Sequence, residues 1–371
     1  MPTAPVDDKG SVLYYEDSGA PAGSTDYVTL VLVHGTGFHS AVYRPMIPFA
    51  VEHNLRLVLV NVRGYPGSTP YSKEDLEELR SLDRAVQASA ITKRGMDIAA
   101  FLRWFIETED IPPIHERADD HALVGGISLL SWSGGNLPTI SMLAHAGELP
   151  ERTRTVLVTY FRSFIMFDPS ISIIGKNIPS GLSNLRRDPS ASIDIQMAQF
   201  SVVVGSYYPP YSIPDRTDPP PIYEPPRQPM HQASINVDPK YTPTTSKMTP
   251  EELDSLTHPS ILQEFQHAMW AVGDNILYEN LARAFYDCRF DDGTGVLKKV
   301  WPKLRVHLIW CDMTLGECAW AATVVYHGLQ NAEPANRRAV EFHKFEGANH
   351  FVSVQYPIWD AIWGVMALIT L

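Results

Sequence analysis

Cysteine is scarce. Three residues in 371, Cys288, Cys311 and Cys318, are too few for a disulfide framework, and the odd count fits a reducing compartment. Cys311 and Cys318 lie seven positions apart, which is no metal-knuckle spacing, so buried thiols are expected. Basic residues are also few: 30 Lys and Arg against 42 Asp and Glu leave a net charge of -12, with no basic cluster to hold nucleic acid. No stretch reaches the roughly 18 to 20 uncharged apolar residues that span a bilayer, and the tail "AIWGVMALITL" is expected to pack on the protein instead. The first residues, "MPTAPVDDKG", have no basic segment leading into an apolar one, so a soluble, cytoplasmic protein is expected. Neither HExxH nor a paired-cysteine motif nor a glycine-rich dinucleotide loop occurs, so no metal and no cofactor is expected. What these absences leave is a small-molecule partner, without nucleic acid and without a membrane span. The oligomeric state stays open, a homodimer included.

Apolar residues make up 44% of the chain, enough for a packed core. In the first half, strand signals alternate with helix signals, the pattern of an α/β protein whose mostly parallel central sheet is flanked by helices. "VTLVLVHG" (28–35), "LRLVLVNVRG" (55–64) and "HALVGGISLL" (121–130) are near-continuous apolar runs that suit strands covered on both faces. Between the last two, Ile98, Leu102, Phe105 and Ile106 form a helical stripe that predicts a crossover helix. A helix over 137–147 and a strand at "TVLVTYF" (155–161) follow.

The alternation then stops. From 162 to 300 the chain reads as a cap of helices and proline-rich loop, and nine prolines between 207 and 230 forbid regular structure there. It divides a core domain of residues 1–161 and 301–371. In that second part "LRVHLIWCD" (304–312) and "AVEFHKFEGANH" (339–350) read as strands, with a helix between them and a last helix over 352–370.

Chemistry enters at "SWSGGN" (131–136). A serine hydroxyl is a weak nucleophile, so a chain that uses one must expose it sharply beside a base and preformed donors. A tight strand-to-helix turn does so, and it needs small residues two before and two after the serine, a demand that Ser131 and Gly135 meet around Ser133. Upstream, "VLVHGTGF" (31–38) ends a strand in a loop whose Thr36 N–H, with the N–H of Gly134, makes a two-donor oxyanion hole. Downstream, "FEGANHFV" (345–352) sets His350 on a loop before the last helix, the position for a general base. The acid that orients the imidazole should lie between them: Asp312, just after a strand, is best placed, with Glu317 and Asp168 as the other candidates.

In this order the motifs resemble those of α/β-hydrolase fold serine hydrolases, esterase- or lipase-like with a large cap insertion. "HGTGF" is similar to their oxyanion loop, "VNVRGYPGST" (60–69) to the loop after their next strand, "SWSGGN" to their nucleophile elbow and "GANHF" to their histidine loop. The resemblance covers about residues 10–160 and 300–371 and omits the cap. It departs at Asn61, where Asp is common, at Pro66, at Ser131, where Gly is common, and at "WCDMT", which lacks the usual Gly-x-x-Asp. The α/β-hydrolase fold is what it implies, with a Ser133–His350–Asp312 triad that cleaves a carboxylic ester or lactone of an apolar small molecule. A serine in place of an aspartate nucleophile points to an acyl-enzyme. Gly37, Phe38, Trp132, Phe164, Phe167 and Trp270 are expected to line an apolar pocket, although Trp132 has an equal reading beneath the elbow. Arginines 162, 186 and 187 are candidates for holding a substrate carboxylate. The alternatives are acyl-transfer, lyase or cyclisation chemistry with the same triad in secondary metabolism, or a slow-turnover ligand receptor.

Overall fold

A computed structural model describes residues 2–117, 121–185, 190–232, 238–291 and 293–351. The helix expected over 352–370, and Arg186 and Arg187, lie outside the described residues.

Eight strands form one sheet: β1 (Thr3–Pro5), β2 (Val12–Asp17), β3 (Val28–Val33), β4 (Leu55–Val60), β5 (Ile127–Trp132), β6 (Phe161–Phe167), β7 (Arg305–Cys311) and β8 (Val340–Phe345). Their spatial order is β1-β2-β4-β3-β5-β6-β7-β8. β1–β2 and β2–β4 pair antiparallel, and every further neighbouring pair, from β4–β3 to β7–β8, is parallel.

Both faces of the sheet are covered, which explains the unbroken apolar runs. Val31, Val33, Val58 and Val60 pack with Ile98, Leu102, Phe105 and Ile106 of α1 (Arg84–Thr108). Leu30, Leu32, Leu57 and Leu59 point the other way, against Val42, Tyr43 and Met46. Alternate residues of one strand therefore serve two cores. Three further helices bear on the site: α2 (Asn136–Ala144), α4 (Ile193–Gly205) and α5 (Gly316–Asn331).

The strand expected at 155–161 is instead a helix, α3 (Glu151–Tyr160), and the strand begins where it ends, at Phe161. The β-branched run "TVLVTY" has strand propensity, but Pro150 precedes it and only Thr153 and Leu157, four apart, are buried. That is a helical stripe. A strand here would bury Thr155 too, which is exposed, whereas all seven residues of β6 are buried.

The segment between β6 and β7 contains α4, the proline-rich stretch and several short helices. β6 runs to Phe167 inside the sheet, and Ile276, Leu277, Leu281 and Phe285 lie in the same hydrophobic cluster as residues of β5 and α1.

Candidate active site

Four residues of interest follow the carboxyl ends of parallel strands: Ser133 after β5, Asp168 after β6, Asp312 after β7 and His350 five residues past β8. Parallel strands bring these ends together, which is where open α/β sheets place ligands.

The turn at Ser133 is strained. Its φ is 53°, unusual for a residue with a Cβ, and this lifts the side chain out of the path from strand to helix. The following glycines are needed for close approach. A Cβ on Gly134 would lie 2.1 Å from Thr36 Oγ1, and one on Gly135 would lie 2.3 Å from the His34 carbonyl oxygen. Ser131, the departure from glycine, has its own use: its hydroxyl lies 2.7 Å from Asn136 Oδ1 and 2.8 Å from Thr139 Oγ1, tying β5 to α2. Asn136 Nδ2 donates to the Ser133 carbonyl at 3.0 Å. The elbow is braced from both sides.

Ser133 Oγ lies 2.9 Å from His350 Nε2, and His350 Nδ1 lies 2.6 Å from Asp168 Oδ2. The acid facing His350 is thus Asp168 and not Asp312, which corrects the first expectation. A carboxylate can only accept, so Nδ1 carries the proton and Nε2 is left to accept from the Ser133 hydroxyl. Asp168 is wholly buried and takes two more donors, Thr314 Oγ1 at 2.6 Å and the Cys311 N–H at 3.1 Å. Asp312 faces the other way: its Oδ1 accepts from the Gly347 N–H at 2.8 Å, holding the histidine loop against β7, and burial pushes its carboxyl up. Glu317 is drawn off as well. Its Oε1 accepts from the Ser183 hydroxyl at 2.7 Å and from the Asn184 and Leu185 N–H groups at 2.9 Å.

The loop that begins at His34 is fixed from behind. His34 Nε2 accepts from the Val62 N–H at 3.2 Å, so Nδ1 donates to the Gly35 carbonyl at 2.9 Å, and burial pushes this ring down to about 3, keeping it neutral. Asn61 explains the second departure: its Oδ1 accepts from the Ser40 N–H at 2.8 Å while its Nδ2 donates to the Pro66 carbonyl at 2.8 Å. An aspartate could not make the second bond.

A cavity of about 730 Å³ opens over the serine, with Thr36, Ser133, Gly134 and His350 at its floor. Of the six residues expected to line it, only Trp270 does. Phe164 lies in the hydrophobic cluster of β5 and α1, and Phe38 and Phe167 pack in the core of the opposite face. Gly37 turns the loop at φ 81° against Met197 and Phe200. Trp132 packs beneath the elbow: its ring lies 5.1 Å from that of His350, and its Nε1 donates to the His350 carbonyl at 3.0 Å. The residues missed include Gln199, Phe200 and Val203 on α4, Arg227 and Gln228 in the proline-rich stretch, and Gln266 beyond it.

Burial also raises the Cys318 thiol well above its ordinary range, and its Sγ lies 3.5 Å from His350 Nδ1, so it is a neutral neighbour of the relay. Among the described residues, two clusters bring metal-competent donors together. One is Asp168, Cys318 and His350, already joined as above; the other is His307, Glu341 and His343 on β7 and β8. In the second, His307 Nε2 has no hydrogen-bond partner, so binding a metal through Nδ1 would bury an unpaired N–H.

Sheet order, strained elbow and serine–histidine–acid chain together define an α/β-hydrolase fold. No protein-family model matches the chain, and no curated protein does. Among solved structures it is similar to a carboxylesterase of the ammonia-oxidizing thaumarchaeon Nitrososphaera gargenis, at 12% identity and a TM-score of 0.50, over 100% of this chain and 99% of that one. It is likewise similar to 2-hydroxy-6-oxo-6-phenylhexa-2,4-dienoate hydrolase from Rhodococcus sp. strain RHA1, at 13% identity and a TM-score of 0.52, over 99% of this chain and 96% of that one. Likeness at this identity establishes the fold alone.

Proposed function

We propose that the protein is a serine hydrolase that cleaves a carboxylic ester or lactone through an acyl-enzyme on Ser133. The observation that carries this reading is the continuous chain from Ser133 Oγ through His350 to buried Asp168, set beneath the cavity. His350 Nε2 takes the hydroxyl proton as Oγ bonds the substrate carbonyl carbon, and the carbonyl electron pair moves to its oxygen. The N–H groups of Thr36 and Gly134 stabilise that oxyanion. Collapse breaks the bond to the leaving alkoxide, which receives the proton from Nε2. Water then repeats the sequence on the acyl-enzyme, and Asp168 stays ionised throughout. The apolar part of the wall, including Phe200, Val203, Leu262 and Trp270, suits an acyl chain or ring.

A panel of p-nitrophenyl esters of rising acyl length tests the reading. Release of p-nitrophenol by the wild type and none by S133A is expected. If every ester stays intact while a fluorophosphonate still labels Ser133, acyl-transfer, lyase or cyclisation chemistry replaces hydrolysis.

A further inference from the structure

The chain has nine glutamines, and five of them, Gln196, Gln199, Gln228, Gln232 and Gln266, line this one cavity. They come from separate pieces of chain: α4, the proline-rich stretch, and the short helix Phe265–Met269. Composition alone does not gather them there. Among the described residues, the side-chain amides of Gln199, Gln228 and Gln266 make no hydrogen bond to the protein. Each amide therefore presents both a donor and an acceptor to whatever fills the cavity.

Among the described lining residues charge is nearly missing: apart from His350, Arg227 is the one basic or acidic side chain, and none is an aspartate, glutamate or lysine. The Arg227 guanidinium is already engaged. Its Nη1 donates to the Thr314 carbonyl at 2.6 Å, its Nη2 donates to the carbonyls of Pro209 and Asp312, and the rings of Tyr208 and Tyr211 lie 5.5 and 5.7 Å away. Those bonds make it a clamp between the proline-rich stretch and the loop after β7, not an anchor for a substrate carboxylate. Neutral groups that both donate and accept match hydroxyls, which do the same, whereas a plain alkyl ester would leave the amides facing apolar surface.

We infer that the substrate is an uncharged ester whose alcohol or acyl part carries several hydroxyl groups, as in an acylated polyol or sugar. This rests on the ester-hydrolase reading above. Within it, the glutamines set specificity while the triad supplies the chemistry.

The test holds the acyl group constant. Butyrate esters of glucose and of glycerol are compared with butyl butyrate and p-nitrophenyl butyrate on the full chain, with Q199L and Q266L as variants. The expected result is a kcat/KM at least about tenfold higher for the hydroxylated esters than for butyl butyrate, roughly the worth of one hydrogen bond. Each variant should shrink that ratio by lowering kcat/KM for the hydroxylated esters more than for p-nitrophenyl butyrate. An equal or greater kcat/KM for butyl butyrate overturns the inference while the hydrolase reading stands, as does a preference that both variants retain. If no ester is cleaved, p-nitrophenyl butyrate included, the hydrolase reading fails and the inference falls with it.

Discussion

Asp168 accepts from His350, Thr314 and the Cys311 amide without exposure to solvent, so an amide in its place would present an N–H to donors and release the imidazole. D168N is expected to lower kcat by about 10⁴-fold, the effect of losing the correct imidazole tautomer. D312N should stay within about tenfold of wild type, because Asp312 holds backbone amides of the loop before His350 and not the imidazole. Steady-state kinetics on both variants checks this. Neighbouring sequence does not separate the two aspartates: each stands one residue past a strand, after "FIMF" and after "LIWC". What separates them is three-dimensional. Asp168 bends at φ 40° with its N–H bonded to the Ile309 carbonyl at 2.8 Å, which sets its carboxylate under the histidine loop. Asp97 lines a small cavity with His34, Gly35 and Thr36. Burial outweighs its Arg94 neighbour and raises it from 3.8 to about 6. Its protonated form fits the fold better, so its contribution is full below about pH 4 and is lost as pH rises through 6. The difference in unfolding free energy between D97N and wild type should therefore shift in favour of the variant by ~3 kcal/mol across that window, measured by denaturant titration at each pH.

Glu317, on the first turn of α5, binds the segment 183–185 through one carboxylate oxygen. Ser183, Asn184 and Leu185 line the cavity, so this bond couples a helix of the sheet layer to the cavity wall. E317A is expected to raise KM several-fold with kcat within about twofold, because the triad geometry is untouched; equal losses in both would mean that Glu317 acts on the chemistry. At this scale the sequence was legible where packing agreed with local preference. Strands β3 to β5 and α1 could be read because covered strands require unbroken apolar runs and a helix on a sheet requires its 3.6-residue stripe. α3 could not, because "TVLVTY" prefers a strand and tertiary burial of Thr153 and Leu157 overrides that preference. The turns at 34–37, 131–136 and 347–350 were legible because close backbone approach and positive φ there demand small residues at fixed offsets. The cavity wall was not, since prolines and glutamines far apart in the chain meet only once the segment between β6 and β7 has folded over the sheet.

For the whole molecule, the loops after β3, β5, β6 and β8 and one long insertion meet at a single serine. The sheet supplies rigidity, holding Ser133, Asp168 and His350 on the loops after β5, β6 and β8, and the insertion supplies a wall whose described residues are mostly uncharged and rich in amides. Asn349 joins the two: its Nδ2 donates to the Gly205 carbonyl at 2.6 Å and to Thr244 Oγ1 at 2.9 Å, so the residue next to His350 is fastened to the end of α4. The central claim is that this arrangement activates Ser133 through His350 and Asp168. Its most direct test is the rate of fluorophosphonate labelling followed by mass spectrometry on wild type, S133A, D168N and D312N. One adduct is expected, on Ser133, absent from S133A, formed orders of magnitude more slowly in D168N and near the wild-type rate in D312N. An adduct on another residue, or labelling that D312N suppresses and D168N does not, would contradict it.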